Sequence, residues 1–482
     1  MTRQATDSRR FRFVIQTSLI AALAGILFGY DTAVISGAIG PITDHFQLSP
    51  LATGWAVSSV VIGAIIGALG AGAAALYGGR RGALWLAAAL FIVSALGSAL
   101  AADFFWYSVF RMLGGLAVGL ASVVAPMYLS EISPGDMRGT SISLFQQSTA
   151  VGAVIVFFVN YFIARGVTPE WLTAYGWRWM LGSEVVPAIL FAALLPLIPE
   201  SPRWLILKNR DNEARHVLDR ANPSERVAGL VDDIKASFAG ERAHQRVSLR
   251  KPGIFGIVAI GAFVAAAQQL TGINVVMYYA PQIFERVVDS SETALLQTSV
   301  MGIAFVFGNL AGMLLIDRVG RRPLITYGSL GCCIGMAGLG TIVYSQSVGY
   351  GALICLVLYI MSFAISWGCV CWTLIGEIFP NSIRSRAMAF AVACQWFAGF
   401  VVTQTFPLLD QNPWLQALFN GGFSFWLYAG FTLICLAVVL RFVPETKNRT
   451  LEELEPLLLS RIESARPGRH RRDVGHAHAR SA

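Results

Sequence analysis

Six polar side chains crowd into one short stretch, Gln268-Gln-Leu-Thr-Gly-Ile-Asn-Val-Val-Met-Tyr-Tyr279, inside an apolar run from Gly253 to Ala280. A run of that length can cross a bilayer. Amides and hydroxyls left uncompensated in hydrocarbon cost several kcal/mol each. They belong facing a wet cavity or a polar ligand, or they tie helices together. An amide both donates and accepts, so it can match a ligand hydroxyl. In an ideal helix, at ~100° per residue, Gln268 and Asn274 point about 240° apart. For both to face one ligand the helix must bend or unwind, and Thr271-Gly272 is the place for it.

A second chemistry needs Asp31 and Arg111. Asp31 lies ~28 Å up a helix from Arg12 at ~1.5 Å per residue, and Arg111 lies ~12 Å in from Asp103 on a segment entering from the other side. The two depths match. Burial disfavours the charge of a lone carboxylate and an adjacent guanidinium favours it. A pair that opens and closes can therefore load and release a proton; a pair that stays closed only holds two helices together.

These residues need a membrane scaffold. The 482 residues are 55% hydrophobic and 13% charged, against roughly 25% charged in soluble proteins. Windows of about 20 apolar residues fall at 13–37, 55–77, 82–101, 105–128, 140–163, 178–198, 254–280, 295–316, 323–344, 350–376, 386–408 and 424–443. The first is read as a retained span, since no small-residue cleavage site follows it. Arginines at 9, 10, 12, 80, 81, 138, 318, 321, 322, 384 and 386 fall on one side, leaving Arg165, Arg178 and Arg286 on the other. The positive-inside rule then puts both termini in the cytoplasm of a multi-pass plasma-membrane protein. The net charge of +8 fits loops beside anionic lipid and gives no reason to invoke nucleic acid. The seven cysteines, Cys332 to Cys435, show neither a disulfide framework nor a zinc spacing. No cofactor is called for, and no nucleophile–base pair or phosphate loop suggests an enzyme.

The chain reads as two copies of one unit. Glu131 precedes Arg138 as Glu377 precedes Arg384, Gly79-Arg-Arg81 answers Gly320-Arg-Arg322, and Pro199-Glu-Ser201 answers Pro444-Glu-Thr446. Landmarks recurring in order indicate a duplicated six-helix unit. The expected parts are a first bundle, 1–199; a cytoplasmic linker, 200–252, with amphipathic helices over Lys208–Arg220 and Glu225–Arg242; a second bundle, 253–443; and a cytoplasmic tail, 444–482, disordered after Arg466.

Gly29-Tyr-Asp-Thr-Ala-Val-Ile-Ser-Gly37, Asp317-Arg-Val-Gly-Arg-Arg322, Pro199-Glu-Ser-Pro-Arg-Trp204, Gln268-Gln-Leu-Thr-Gly-Ile-Asn274 and Pro444-Glu-Thr-Lys447 together resemble the sugar porters of the major facilitator superfamily, and within them the bacterial xylose–proton symporters. The resemblance covers about residues 12–455. It implies an all-α major facilitator fold of twelve transmembrane helices in two six-helix bundles, a central sugar site and alternating access. It implies sugar contact at Gln146, Gln268, Gln269, Asn274, Trp372 and Gln395, with Phe28, Tyr278 and Trp396 as flanking aromatics, and proton coupling at Asp31 and Arg111 with Glu184 nearby. It implies a cytoplasmic gate of ion pairs that bridge the halves when the inside is shut, built from Glu131, Arg138, Glu200, Asp317, Arg318, Arg321, Glu377, Arg384 and Glu445. Exposed pairs contribute roughly 0–1 kcal/mol each, so only a network can bias such an equilibrium.

Three positions depart from the pattern. Phe305 stands where an asparagine is usual, with Asn309 one turn later, and Ala153 replaces a second glutamine. Leu76-Tyr77 stands where the first-half gate has polar and basic residues. The expected function is proton-coupled import of a monosaccharide, pentose or hexose. Uncoupled facilitation on the same fold and a transporter-like sugar sensor remain as alternatives; Asp31 argues against the first and the short tail against the second.

Overall fold

The computed structural model describes residues 3–135, 137–243, 252–288, 290–347, 349–380, 383–447 and 457–458. Among them twelve helices are long and apolar enough to cross a membrane: Arg10–Phe46, Pro50–Tyr77, Gly79–Leu100, Phe104–Ile132, Arg138–Ala164, Pro169–Leu197, Ile254–Phe284, Ser291–Val319, Arg321–Tyr344, Gly351–Ile378, Arg386–Asp410 and Phe423–Phe442. We number these spans one to twelve. They coincide with the expected windows and mostly outrun them, span one furthest. Hydropathy marks the hydrocarbon slab, whereas the helix ends where its backbone finds a cap. Ser49, Asp103 and Ser290 are such caps, accepting from the backbone N–H of Ala52, Trp106 and Thr293. They start spans two, four and eight on the same face of the bundle, here called the far face. Arg10, where span one begins, and Phe442, where span twelve ends, lie toward the opposite face, here called the terminal face.

Small residues set how closely the spans pack, because lipid provides no hydrophobic drive for helices to associate. Spans two and four touch backbone to backbone: a β-carbon built on Gly115 would lie 1.9 Å from the carbonyl oxygen of Val60, and one on Gly63 would lie 2.0 Å from that of Met112. Span five packs on span one in the same way through Gly152. In the second half span seven packs on eleven, and span nine on ten and twelve. The halves meet where span two lies on eleven, five on eight and one on seven.

Span seven is broken where the sequence requires it. Its helix runs Pro252–Leu270, turns at Thr271-Gly272, and resumes over Ile273–Phe284. Gly272 takes φ +92°, open to a residue without a side chain. A β-carbon there would also meet the Tyr428 ring at 2.9 Å.

The polar linker forms three short helices, Pro202–Leu207, Asp211–Ala221 and Ser224–Ala243. Two answer the expected amphipathic pair, and their apolar faces are spent on the first half. Leu205, Val217, Leu218 and Val231 join the buried cluster that holds Leu27, Phe91 and Tyr128. A second buried cluster combines both halves: Tyr30, Ile39 and Val57 of the first join Tyr279 and Phe406 of the second, and the cluster continues through the second half to Ile378 and Val443. The disorder expected after Arg466 lies outside the described residues.

Replacing Gly115 with valine should stop spans two and four from closing. Overpacking a core costs about 1–3 kcal/mol when side chains can yield; here the obstacle is backbone, so the loss should reach at least the upper end. Thermal unfolding of the detergent-solubilised protein measures it. An unchanged midpoint would mean that the two spans are not held this tightly.

Candidate functional site

The amides of the broken span converge on span eleven. Gln268 is buried; its Nε2 donates to the Trp367 carbonyl at 2.7 Å, and its Oε1 accepts from Gln395 Nε2. That carbonyl is available because span ten widens into a π turn over Ala364–Gly368. Gln269 and Asn274 reach the same neighbourhood from either side of the break: a β-carbon on Gly399 of span eleven would lie 3.5 Å from Gln269 Oε1 and 3.1 Å from Asn274 Nδ2. Gln269 Oε1 and Gln395 Oε1 are buried acceptors with no donor. The break therefore brings four amides together, two of them with an acceptor to spare.

Aromatic rings flank this cluster. Phe28 of span one faces Trp396 of span eleven across the two halves at 6.3 Å between centroids. Trp372 is exposed and Tyr278 is buried. Gln146 is exposed on span five, apart from the bonded amides. Phe305 is half-buried and packs on the shared core. Asn309 does not make up for the amide missing at Phe305. It is buried, its Nδ2 donates to the Phe305 carbonyl at 3.0 Å, and its Oδ1 is turned toward Gly368. Ala153 is buried against span one.

Asp31, Arg111 and Glu184 meet inside the first half, at 0%, 1% and 1% exposure. Arg111 Nη1 donates to Asp31 Oδ1 at 2.8 Å and Nη2 to the Asp31 backbone carbonyl at 3.2 Å. Glu184 stands within hydrogen-bonding reach of Asp31. Asp31 Oδ2 and Glu184 Oε1 have no donor. Two carboxyl groups face one guanidinium, so the cluster is neutral when one of the two carries a proton. Gly114 makes the space, since a β-carbon there would sit 2.9 Å from Asp31 Oδ1. Tyr278, on the outer piece of span seven, lies within electrostatic reach of Asp31 and Arg111.

The charged residues at the terminal face are bound within their own halves. Glu131 pairs with Arg80 at 2.8 Å and accepts from Ser201 Oγ. Glu377 pairs with Arg321 at 2.9 Å, and Arg321 also reaches Asp317. Glu200 and Glu445 serve backbone rather than arginine side chains: Glu200 accepts from the N–H of Arg80 and Arg81, Glu445 from those of Arg321 and Arg322. Arg384 donates to the Phe379 carbonyl, and Arg138 and Arg318 are exposed. Among the described residues, none of the expected ion pairs bridges the halves at this face in this conformation.

Bonds between the halves occur elsewhere and were not foreseen from sequence. Near the far face Ser58 Oγ donates to Gln404 Oε1 at 2.6 Å, and Gln404 Nε2 donates to the Leu51 carbonyl at 2.9 Å. At mid-depth Gln147 Nε2 donates to the Val306 carbonyl at 3.3 Å. Both glutamines carried the signal that singled out Gln268, an amide inside an apolar span. Gln147 lies beside Gln146 and Gln404 between two threonines, but nothing nearby in sequence named the partner of either. Halves joined at the far face and separately bonded at the terminal face describe a site open toward the termini.

The profile of the sugar (and other) transporter family matches residues 17–458. The chain is 41% identical to the D-xylose-proton symporter of Escherichia coli (strain K12), over 92% of this chain and 96% of that one. It is 36% identical to the arabinose-proton symporter of Bacillus subtilis (strain 168), over 94% and 96%. It is 38% identical to the glucose facilitated diffusion protein of Zymomonas mobilis, over 92% and 97%. The inward-open conformation of the E. coli xylose transporter superposes with a TM-score of 0.82 at 39% identity, covering 92% of this chain and all of the other. The proton:xylose symporter bound to 6-bromo-6-deoxy-D-glucose superposes with a TM-score of 0.76 at 40% identity, covering 93% of this chain.

Glu445 gives the terminal face a pH dependence. Burial alone would raise its pKa, but the backbone N–H groups of Lys447, Arg322, Arg321 and Thr446 outweigh it and hold the carboxyl below its ordinary value. A depressed carboxyl contributes stability above its unfolded pKa of about 4.3 and loses it as pH falls through the lower, folded value. Hydrogen-exchange protection of the Arg321 and Arg322 amides, corrected for intrinsic rate, should hold from neutral pH to about 5 and fall below about 4. In Glu445→Gln it should be low throughout. A flat profile in the parent protein would remove the carboxylate from this role.

Proposed function

The chain belongs to the sugar transporter family, and from that premise we propose that it imports a monosaccharide together with a proton by alternating access. One observation carries the coupling: a sealed cluster in which two carboxyl groups, Asp31 and Glu184, share the one guanidinium of Arg111, so that one of them can hold a proton. A buried ion pair broken on one side leaves an uncompensated charge that costs several kcal/mol. A proton on the carboxylates frees Arg111 from part of its hold, and Tyr278 links that change to the helix that carries the sugar amides. The facilitated-diffusion relative shows that close kinship alone does not decide coupling; the buried carboxylates favour it here.

The sugar lies between the two halves, against the inner end of broken span seven. Gln269 Oε1 and Gln395 Oε1 accept its hydroxyls, while Gln268 holds the Gln395 amide in place. Trp372, Phe28 and Trp396 cover its C–H faces. Phe305 offers an apolar wall, which trims by size, whereas an amide there would choose among hydroxyls. Such a wall is worth only about 1–3 kcal/mol of discrimination, so pentoses and hexoses both fit the reading. Gln146 meets the sugar from the first half when the site closes around it. The arginines of the terminal face support a cytoplasmic position for that face and for both termini. Arg138, Arg318 and Arg384 then meet the glutamates of the opposite half when the inner side shuts. The division into bundles 1–199 and 253–443 around the linker 200–252, with a tail from 444, follows the same duplicated plan.

Asp31→Asn should abolish uphill accumulation in proteoliposomes under a proton gradient and leave sugar exchange in place. A mutant that still concentrates sugar, and loses that ability with a protonophore, would move the coupling site elsewhere.

Gln269→Leu should weaken sugar binding by about 1–3 kcal/mol through a hydroxyl left without its acceptor. Calorimetry with xylose, glucose and galactose reads it directly. Unchanged affinity in a folded mutant would make Gln269 a packing residue.

A further inference from the structure

Resting on the alternating-access reading, we infer that Gln404 is the latch of the outer gate. It is the side chain that holds the far ends of the two halves together while the sugar site faces the termini, and so sets how long the carrier stays inward-facing.

Gln404 lies in span eleven, near its far-face end at Asp410, and its partners Ser58 and Leu51 lie in the first turns of span two. Both ends of the amide are used across the interface. Oε1 accepts from Ser58 at 2.6 Å and Nε2 donates to the Leu51 carbonyl at 2.9 Å. The contact is close enough to exclude a side chain: a β-carbon on Gly54 would lie 2.5 Å from the Gln404 carbonyl oxygen and 2.8 Å from Nε2. An ion pair also joins the halves at this face, Arg165 to Glu292, but it spans 3.9 Å with side chains 63% and 45% exposed. A pair of that kind contributes little. Ser58 is fully buried and Gln404 half-buried, so the bond between them is partly shielded from competing water, whereas the bond to Leu51 lies at the exposed end of the contact.

All the partners of this amide belong to the opposite half. When the far ends part, the Ser58 and Leu51 bonds are lost, and water has to replace them. The latch therefore stabilises the inward-facing state alone, which is what shifts a two-state equilibrium. It touches neither the sugar amides nor the proton cluster, so its loss changes the balance of states without removing either ligand's binding groups.

The test uses the full chain in nanodiscs. Spin labels go on Ala102→Cys and Gln411→Cys, exposed residues at the far face of the two halves, with the half-buried native Cys333, Cys355, Cys369 and Cys394 replaced. Pulsed dipolar spectroscopy then gives the fraction with parted far ends. Gln404→Leu should raise the ratio of parted to closed molecules by about tenfold, the equivalent of one or two net hydrogen bonds, while proton-driven uptake continues at altered rate. Ser58→Ala, which removes one bond and keeps the helix, should raise it by a smaller factor and serves if Gln404→Leu fails to fold. A distance distribution unchanged in both variants overturns the latch. A parent protein that keeps one distance with and without xylose or glucose overturns alternating access itself, and the latch with it.

Discussion

A guanidinium sealed inside a membrane helix has to be answered by a carboxylate at contact distance, and this condition governs the first half of the molecule. Arg111 sits on span four, its two hydrogen bonds come from span one, and the second carboxylate comes from span six. Three helices must reach one point without trapping water or unpaired charge. Glycine at 114 opens the space, and small residues along spans two, four and five let the backbones close around it. The small-residue packing and the buried charges are thus one design: the first permits the close approach that the second needs.

The second half answers a different requirement, that amides face a ligand and each other within an apolar wall. Its solution is irregular backbone. Span seven gives up helical hydrogen bonds at Thr271-Gly272, and span ten widens at Trp367 so that a carbonyl can receive Gln268. One duplicated unit has thereby specialised in two directions, with the charged cluster in the first half and the neutral amides in the second, and irregular backbone serves both, since Glu184 lies at the turn between Trp177–Gly182 and Val185–Leu194. The two touch where Tyr278 and the Phe28–Trp396 pair cross between halves.

Much of this was legible in the sequence, and the reasons are local. Twelve spans follow from hydropathy, because hydrocarbon imposes one length on every helix. The break at Gly272 follows from two amides at incompatible helical angles a few residues apart. Asp31 and Arg111 follow from matched depths. What escaped was pairing over long sequence separation with no pattern to reveal it. Ser58 and Gln404 are ordinary polar residues of apolar spans until folding sets them side by side. Asn309 was one candidate to replace the amide missing at Phe305, but a side chain one helical turn on can satisfy itself on its own backbone, and this one does. Glu200 and Glu445 look like partners for arginine side chains in sequence, whereas in the fold they accept from the backbone N–H groups of Arg80 and Arg322, at the starts of spans three and nine.

The outer piece of span seven is a helix of twelve residues with a left-handed joint at one end. Mechanically it is a lever between two cargoes: its joint lies among the sugar amides, and its body carries the tyrosine beside the proposed proton site. A lever transmits only what its joint does not absorb. If the joint is stiff, neither cargo moves without the other and the proton gradient is converted in full. If it yields, protons cross without sugar, and the gradient drains as slip. The proton leak of a sugar-free vesicle would therefore be a measure of one glycine's compliance.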